Sequence, residues 1–189
     1  MRKVVNKNAE KTEAIAKKLF PDEEWIEASS IEFKNKGKGI GLPRDLKGIN
    51  IAQSRLTGKK GDEVTLSKEI RQAKILTDKG DIIYFIPKAK DENGNDIRGP
   101  DAILNGIPYE FKTVDGSIDK VESNFRYSRK QSENVFLRIT DKNITKDEVL
   151  SKIHNVLNNP SYTGGTNGCL LVHFEGTNQT HKYILRSLK

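Results

Sequence analysis

The sequence predicts an α/β protein in which helices flank a mixed β-sheet, and three observations lead to this fold class. From Thr65 onward, helical and extended patterns alternate in the order α-β-β-β-α-β-α-β-β. Residues 81–87 form a short and almost wholly apolar run, which is typical of a buried strand. Asn105-Gly106 separates two short extended runs and is the strongest local signal for a β-hairpin. Together these patterns indicate a layered sheet-and-helix core.

The bounds of the elements follow from periodicity and from residues that begin or end helices. A helix is predicted over residues 7–20, because Pro21 cannot continue it. A second helix is expected to begin at Ser67 as its N-cap and to end at Gly80. The remaining predicted elements are helices over 118–132 and 146–157, and strands over 81–87, on both sides of Asn105-Gly106, and over 134–139, 168–174 and 181–186.

Charge divides the chain into two parts. The net charge is +7, and residues 1–60 carry 14 Lys and Arg residues against 8 Asp and Glu, whereas the remainder carries 19 against 18. We therefore predict a basic N-terminal helical and loop segment over residues 1–60 and a separate domain over residues 61–189. A basic excess favours a polyanionic partner such as nucleic acid, although it also serves solubility.

Composition excludes several classes of protein. Leu, Ile, Val and Phe make up about a quarter of the 189 residues, which is enough for a hydrophobic core. No apolar run approaches the length of a membrane span, and no apolar stretch follows the basic N-terminus as in a signal peptide. The single Cys169 excludes an internal disulfide and a multi-cysteine zinc site. These features predict a cytoplasmic protein that does not act at a membrane.

The predicted hairpin brings charged residues together. A two-residue type I′ turn at Asn105-Gly106 would place Asp101 opposite Glu110, with Cβ atoms roughly 5 Å apart. Lys112 follows on the same face, because side chains alternate along a strand. The other, core-facing side is predicted to carry apolar residues, namely Ala102, Leu104, Ile107, Tyr109 and Phe111.

Two facing carboxylates need an offsetting partner, either a shared proton or a divalent cation. Their hard oxygen atoms suit Mg²⁺ or Mn²⁺, so we predict that Asp101 and Glu110 bind one of these metals. Lys112 would orient a water molecule or offset developing charge, as phosphodiester hydrolysis requires. Two alternatives stay open: a solvated hairpin without catalysis, and a ribonuclease based on His173 and His181.

This stretch resembles the PD-(D/E)XK nuclease superfamily, whose fold is also called restriction-endonuclease-like. Pro100-Asp101 and Glu110-Phe111-Lys112 match its motif, and the order αβββαβ matches its core. The resemblance implies a further carboxylate on the preceding helix, for which Glu69 is the candidate. It also implies a Gln or basic residues after the motif, for which the candidates are Gln131, Lys130 and Arg126, the last two expected on one helical face.

Residues 63–140 more specifically resemble the C-terminal toxin domains of contact-dependent growth inhibition systems that cleave transfer RNA. The resemblance rests on Glu69, Ala73, Leu76 and Gly80, on Pro100-Asp101, and on Lys130-Gln131-Ser132 before a strand. It implies a metal-dependent endonuclease acting on RNA in the bacterial cytoplasm, and a cognate immunity protein as partner. Such a chain is expected to be an excised domain or a stand-alone protein of a mobile element. The rival functions are a DNA endonuclease with the same fold and a non-catalytic nucleic-acid-binding module.

Overall fold

The computed structural model describes residues 7–37, 39–94 and 97–189. The chain divides into two compact units, which we call unit 1 and unit 2. Unit 1 spans Met1–Ile97 and Asp101–Pro108, and unit 2 spans Arg98–Pro100 and Tyr109–Lys189. The boundary expected from charge, after residue 60, stays a prediction.

Unit 1 combines two helices with four short strands among its described residues. Its strands lie in the order β1-β2-β3-β4, with an antiparallel, a parallel and an antiparallel pair in succession. The elements in chain order are α1 (Lys7–Leu19), β1 (Trp25–Glu27), β2 (Ile49–Ala52), α2 (Lys60–Thr77), β3 (Ile83–Phe85) and β4 (Ala102–Leu104).

The core of unit 1 forms because the strands are apolar and each helix buries one side. Ile51 and Phe85 are fully buried partners in neighbouring strands. Ile70 and Ala73 of α2 are also fully buried, and Ala16 of α1 packs in a cluster with residues of β3 and β4. Burial of this apolar surface is the main stabilising contribution to such a unit.

Unit 2 begins its sheet with β5 (Ile107–Val114), whose first two residues belong to unit 1. The strands lie in the order β5-β6-β7-β8, with two parallel pairs followed by an antiparallel pair. The other elements are α3 (Asp119–Ser128), β6 (Val135–Ile139), α4 (Lys146–Leu157), β7 (Cys169–Phe174) and β8 (Gln179–Ile184). Residues of both helices pack with the sheet in one core cluster that includes Phe125, Leu137 and Ile153.

The predicted fold class is confirmed: helices accompany strands of mixed direction, and the order of elements from α2 to β8 is the predicted one. The turn between β4 and β5 is also as predicted, with φ of 50° at Asn105 and 85° at Gly106, the positive angles of a type I′ turn. None of the described helices is long and apolar enough to cross a membrane.

Three local predictions were wrong. Helix α2 begins at Lys60, so Ser67 is not its N-cap. Ser67 is instead buried inside the helix, where its hydroxyl donates to the carbonyl of Gly41 at 2.7 Å. The segment 1–60 contains β1 and β2, which were expected to be loop. Ile107 was predicted to face the core but is 44% exposed, because it directly follows the turn.

Candidate active site

The centre of the candidate site is Glu110, a carboxylate on β5 that is only 1% exposed. Its neighbours Tyr109 and Phe111 are each 3% exposed, although their side chains alternate with that of Glu110 along the strand. Both faces of β5 are therefore covered at this point. A buried carboxylate is costly unless charged or polar groups compensate it, so its surroundings are informative.

Lys112 and Gln131 supply that compensation. The Lys112 ammonium donates to Oε1 of Glu110, and Nε2 of Gln131 donates to the same oxygen at 2.6 Å. Lys112 is a quarter exposed, with a side-chain exposure of 25%, whereas the Glu110 side chain is 1% exposed. We call these three residues the Glu110 cluster. It joins a buried acceptor to an ammonium that solvent or a substrate can reach.

The position of Gln131 depends on the turn that follows α3. Its backbone amide donates to the carbonyl of Ser128 at 2.9 Å, which continues the chain tightly beyond the helix. Arg129 is 7% exposed and fixes the same turn, since its guanidinium donates to the carbonyls of Glu133 and Gly164, the latter at 2.7 Å, and to the hydroxyl of Tyr162 at 3.1 Å. The sequence gives no signal that sets Arg129 apart from a surface cation.

An aromatic ring accompanies the Glu110 cluster. Tyr127 is 43% exposed, and the guanidinium carbon of Arg98 lies 4.9 Å from its ring centroid. The Lys112 ammonium nitrogen lies 5.7 Å from the same centroid. These are cation–π distances, and an exposed ring of this kind offers a stacking surface for a base. Arg98 was not among the predicted site residues.

Glu69 and Asp101 belong to unit 1, where Arg55 connects them. The guanidinium of Arg55 contacts Oε2 of Glu69 at 2.5 Å and donates to the backbone carbonyl of Asp101 at 3.0 Å. Arg55 and Glu69 have side-chain exposures of 3% and 11%, so this ion pair is largely shielded from water. Sequence reasoning missed Arg55, because a single Arg in a basic segment carries no distinguishing pattern.

The two predicted substrate-binding cations differ from expectation in their placement. Arg126 lies on α3 and its Nε contacts Oε1 of Glu122 at 3.1 Å. Lys130 is exposed and lies two residues beyond the end of α3 at Ser128, so the spacing alone does not place the two residues on one helical face. Residues four positions apart are neighbours on one face only where both lie inside a helix.

The structure therefore brings Glu110, Lys112 and Gln131 together in unit 2, and Glu69 and the backbone of Asp101 together in unit 1. The facing of Asp101 and Glu110 across the hairpin stays a prediction from the turn and its register. Among residues 7–37, 39–94 and 97–189, no three His, Cys, Asp or Glu side chains form a group suited to a metal ion.

These features define the class of protein: a mixed-sheet α/β chain with a buried carboxylate–ammonium–amide cluster. Residues 98–177 match the family model of the contact-dependent growth inhibition CdiA C-terminal domain. The matched segment contains Asp101 and the whole Glu110 cluster but does not include Glu69. The match supports the resemblance to toxins of contact-dependent growth inhibition. Comparison with curated proteins and with solved structures gave no significant match.

Proposed function

We propose that this chain is a metal-dependent nuclease of the PD-(D/E)XK type that hydrolyses phosphodiester bonds in transfer RNA. The observation that carries the proposal is the Glu110 cluster, in which a carboxylate with 1% exposure accepts from both Lys112 and Gln131. A strand that contributes a buried carboxylate and, two residues later, a partly exposed ammonium provides the two kinds of group that this hydrolysis needs.

The metal would be Mg²⁺ or Mn²⁺, held by Asp101 and Glu110. The donor set fits, because carboxylate oxygens are the protein ligands these hard cations prefer and substrate phosphates and water complete their coordination. When bound, such a cation polarises the phosphate and lowers the pKa of a water molecule. Asp101 lies directly before β4 and its carbonyl accepts from Arg55 at 3.0 Å, which supports a well-defined backbone position for this proposed ligand.

The other residues act on the substrate or on one another. Lys112 would orient the attacking water or stabilise negative charge on the phosphate, and its partial exposure allows this. Gln131 would steady the scissile phosphate together with Lys130, with Arg126 further along the same surface segment. The family resemblance makes Glu69 the candidate for a further carboxylate of the site. Its ion pair with Arg55 favours a positioning role instead, in which Glu69 holds the guanidinium that fixes the Asp101 backbone.

The preference for RNA over DNA, and for transfer RNA in particular, rests on the resemblance of residues 63–140 to toxin domains that cleave transfer RNA; the family match over residues 98–177 supports the toxin class alone. The toxin class supports action in the cytoplasm of a bacterium and a cognate immunity protein as partner. The excess of basic residues predicts that an immunity protein is acidic where it covers this chain.

The test is incubation of the purified chain with total bacterial RNA and with plasmid DNA, each with and without Mg²⁺ or Mn²⁺. Glu110→Gln is run beside it, and Glu175→Gln serves as the matched control, because Glu175 is an exposed carboxylate of the same unit. We expect metal-dependent cuts in small RNA that vanish in Glu110→Gln and persist in Glu175→Gln. Cuts in DNA alone would retain the site and discard the RNA substrate, and the absence of cleavage of either would contradict the nuclease proposal.

Asp101→Asn and Lys112→Ala extend the test to the other proposed catalytic groups. Each should lower the cleavage rate by a factor of about 100 or more, as loss of a preorganised electrostatic group does. Binding of the same RNA in the presence of EDTA should change little. A binding module without catalysis would instead bind RNA and show no cleavage, with or without these substitutions.

A further inference from the structure

Unit 1 contains a cavity whose charges are almost all positive. Its cationic lining consists of Arg55, Lys59, Lys88 and Lys90, and the cavity measures about 220 Å³. Ser54 and Thr57 add hydroxyl groups to the same lining. The lysines come from two separate stretches of chain, before α2 and after β3, so the fold has brought them together.

The carboxylates near this cavity do not cancel its charge. Asp62 also lines it, and Oδ2 of Asp62 accepts from the hydroxyl of Thr57 at 2.6 Å. Glu69 neutralises Arg55, whose guanidinium it contacts at 2.5 Å. Lys59, Lys88 and Lys90 are exposed, and their three ammonium groups outnumber the remaining carboxylate. A concave site with such an excess of positive charge attracts anions.

We propose that this cavity binds a backbone phosphate of the RNA substrate. The inference rests on the proposed function, because that function supplies RNA as the ligand. It names the part of unit 1 that binds the RNA backbone. Lysine ammonium groups and hydroxyl donors recognise phosphate oxygens without reading a base. The site would therefore add affinity that does not depend on sequence, and each phosphate it neutralises releases counterions.

The arrangement also explains why Arg55 is fixed. It lines the cavity while its guanidinium is held by Glu69 and by the carbonyl of Asp101. A phosphate in the cavity would therefore lie on the same arginine that positions the backbone of a proposed metal ligand. Filling the cavity is expected to reinforce the position of Asp101.

The test compares two double variants made in the Glu110→Gln background, so that RNA is bound and not cut. Lys88→Ser with Lys90→Ser removes two cations of the cavity. Lys47→Ser with Lys79→Ser is the matched control, because both lysines are exposed and neither lines the cavity. Lys79 lies beyond the other end of α2, a helix that is about 27 Å long. Affinity for fluorescein-labelled transfer RNA is measured by anisotropy from 50 to 200 mM salt.

We expect the cavity variant to weaken binding about tenfold at 100 mM salt. We expect the magnitude of its slope of log K against log salt to fall by about 0.7–0.9, from one fewer neutralised phosphate. The control should change binding by less than half as much on the logarithmic scale. Equal effects of the two variants, or no binding of RNA by the parent chain, would overturn the proposal.

Failure of the cavity and failure of the proposed function give different results. If the cavity variant loses affinity while the unsubstituted chain cuts no RNA with any metal, the phosphate site stands and the nuclease proposal fails. If the chain cuts RNA but the cavity and control variants bind alike, the nuclease proposal stands and the phosphate site fails. Circular dichroism of each variant verifies that the exposed substitutions leave the fold unchanged.

Discussion

At the scale of single residues, the decisive feature is a negative charge held out of water. Glu110 is 1% exposed, and the charge of its carboxylate is offset by the ammonium of Lys112. Burial of a charge is tolerated when a partner and hydrogen bonds compensate it. Removal of the partner leaves an uncompensated buried charge, which lowers the free energy of unfolding. Lys112 is therefore expected to contribute to stability as well as to catalysis.

Lys112→Met tests this contribution. We expect it to lower the free energy of unfolding by about 1–2 kcal/mol, less than for a fully buried pair because Lys112 is partly exposed. Urea denaturation measures the change, with the exposed Lys182→Met as control. Glu110→Gln should cost less in the Lys112→Met background than in the unsubstituted chain. Strictly additive effects would show that the two side chains are not coupled.

Tyr127 gives a second prediction at this scale. Its exposed ring is flanked by Arg98 and Lys112 at cation–π distances, so it offers a face on which an RNA base can stack. Tyr127→Ala should weaken RNA binding by about 1–3 kcal/mol, whereas Tyr127→Phe should retain most of the affinity. Anisotropy titrations in the Glu110→Gln background would measure both, and equal losses in the two variants would point to the hydroxyl instead of the ring.

At the scale of elements, helices α3 and α4 are joined by a charged pair. Nζ of Lys152 contacts Oδ1 of Asp119 at 2.6 Å. The hydrogen bond from Lys152 lowers the pKa of Asp119, and the hydrogen bond to Asp119 raises the pKa of Lys152. Both pKa shifts arise because the positive charge of Lys152 and the negative charge of Asp119 stabilise each other.

The stabilisation from this pair should depend on pH. The lowered pKa of Asp119 stabilises the fold at pH values above the ordinary pKa of an Asp, and this stability is lost as the pH falls through the lowered pKa. The raised pKa of Lys152 stabilises the fold at pH values below the ordinary pKa of a Lys, and this stability is lost as the pH rises through the raised pKa. The pair therefore stabilises between about pH 4 and pH 10. Lys152→Met should lower the Tm at pH 7, and this deficit should shrink as the pH falls through the lowered pKa of Asp119, with Lys142→Met as control. A deficit of the same size at every pH would indicate lost packing.

Helix α4 also carries a complete capping box. The Thr145 hydroxyl accepts from the backbone amide of Glu148 at 3.3 Å, and the Glu148 carboxylate accepts from the backbone amide of Thr145 at 2.8 Å. Thr145→Ala should cost about 1 kcal/mol of stability, whereas Thr145→Ser should cost only a few tenths, because serine retains the acceptor. Thermal or urea denaturation of the two variants would decide, and equal costs would contradict the capping role.

At the scale of the whole molecule, the net charge of +7 governs encounters with polyanions. About five neutralised phosphates would lower the affinity for single-stranded RNA about 100-fold between 50 and 200 mM salt. The measurement is an anisotropy titration of the full chain at four salt concentrations. Binding that hardly changes over this range would show that electrostatic contacts contribute little to it.

Most of the second half of the chain could be predicted from sequence, because its signals are local. The capping residues of α4, the turn at Asn105-Gly106 and the apolar strand β6 each carry a pattern that needs no partner to interpret. The shared strand face of Glu110 and Lys112 could be inferred from alternation along β5, whereas Gln131 was proposed as a site residue only from the family resemblance.

The first half could not be predicted to the same extent, because its structure depends on distant partners. Strand β2 has only four residues and pairs in parallel with β3, more than thirty positions later. The early start of α2 is similarly supported from outside, since the carboxylate of Glu63 accepts from the backbone amides of Lys34 and Asn35, both at 2.9 Å. Arg55 belongs to this group, because only the folded chain brings it to Glu69.

The single thiol of the chain has a practical consequence. Cys169 begins β7, is 6% exposed, and lies 2.6 Å from the hydroxyl of Tyr109, the residue before Glu110. We expect alkylating reagents to reach a sulfur in this position slowly, and mainly when the strands around it separate. Its rate of modification by iodoacetamide therefore reports the rate at which the sheet that carries the Glu110 cluster opens. Because the sequence has no other cysteine, this rate can be measured in the unmodified protein without an engineered label.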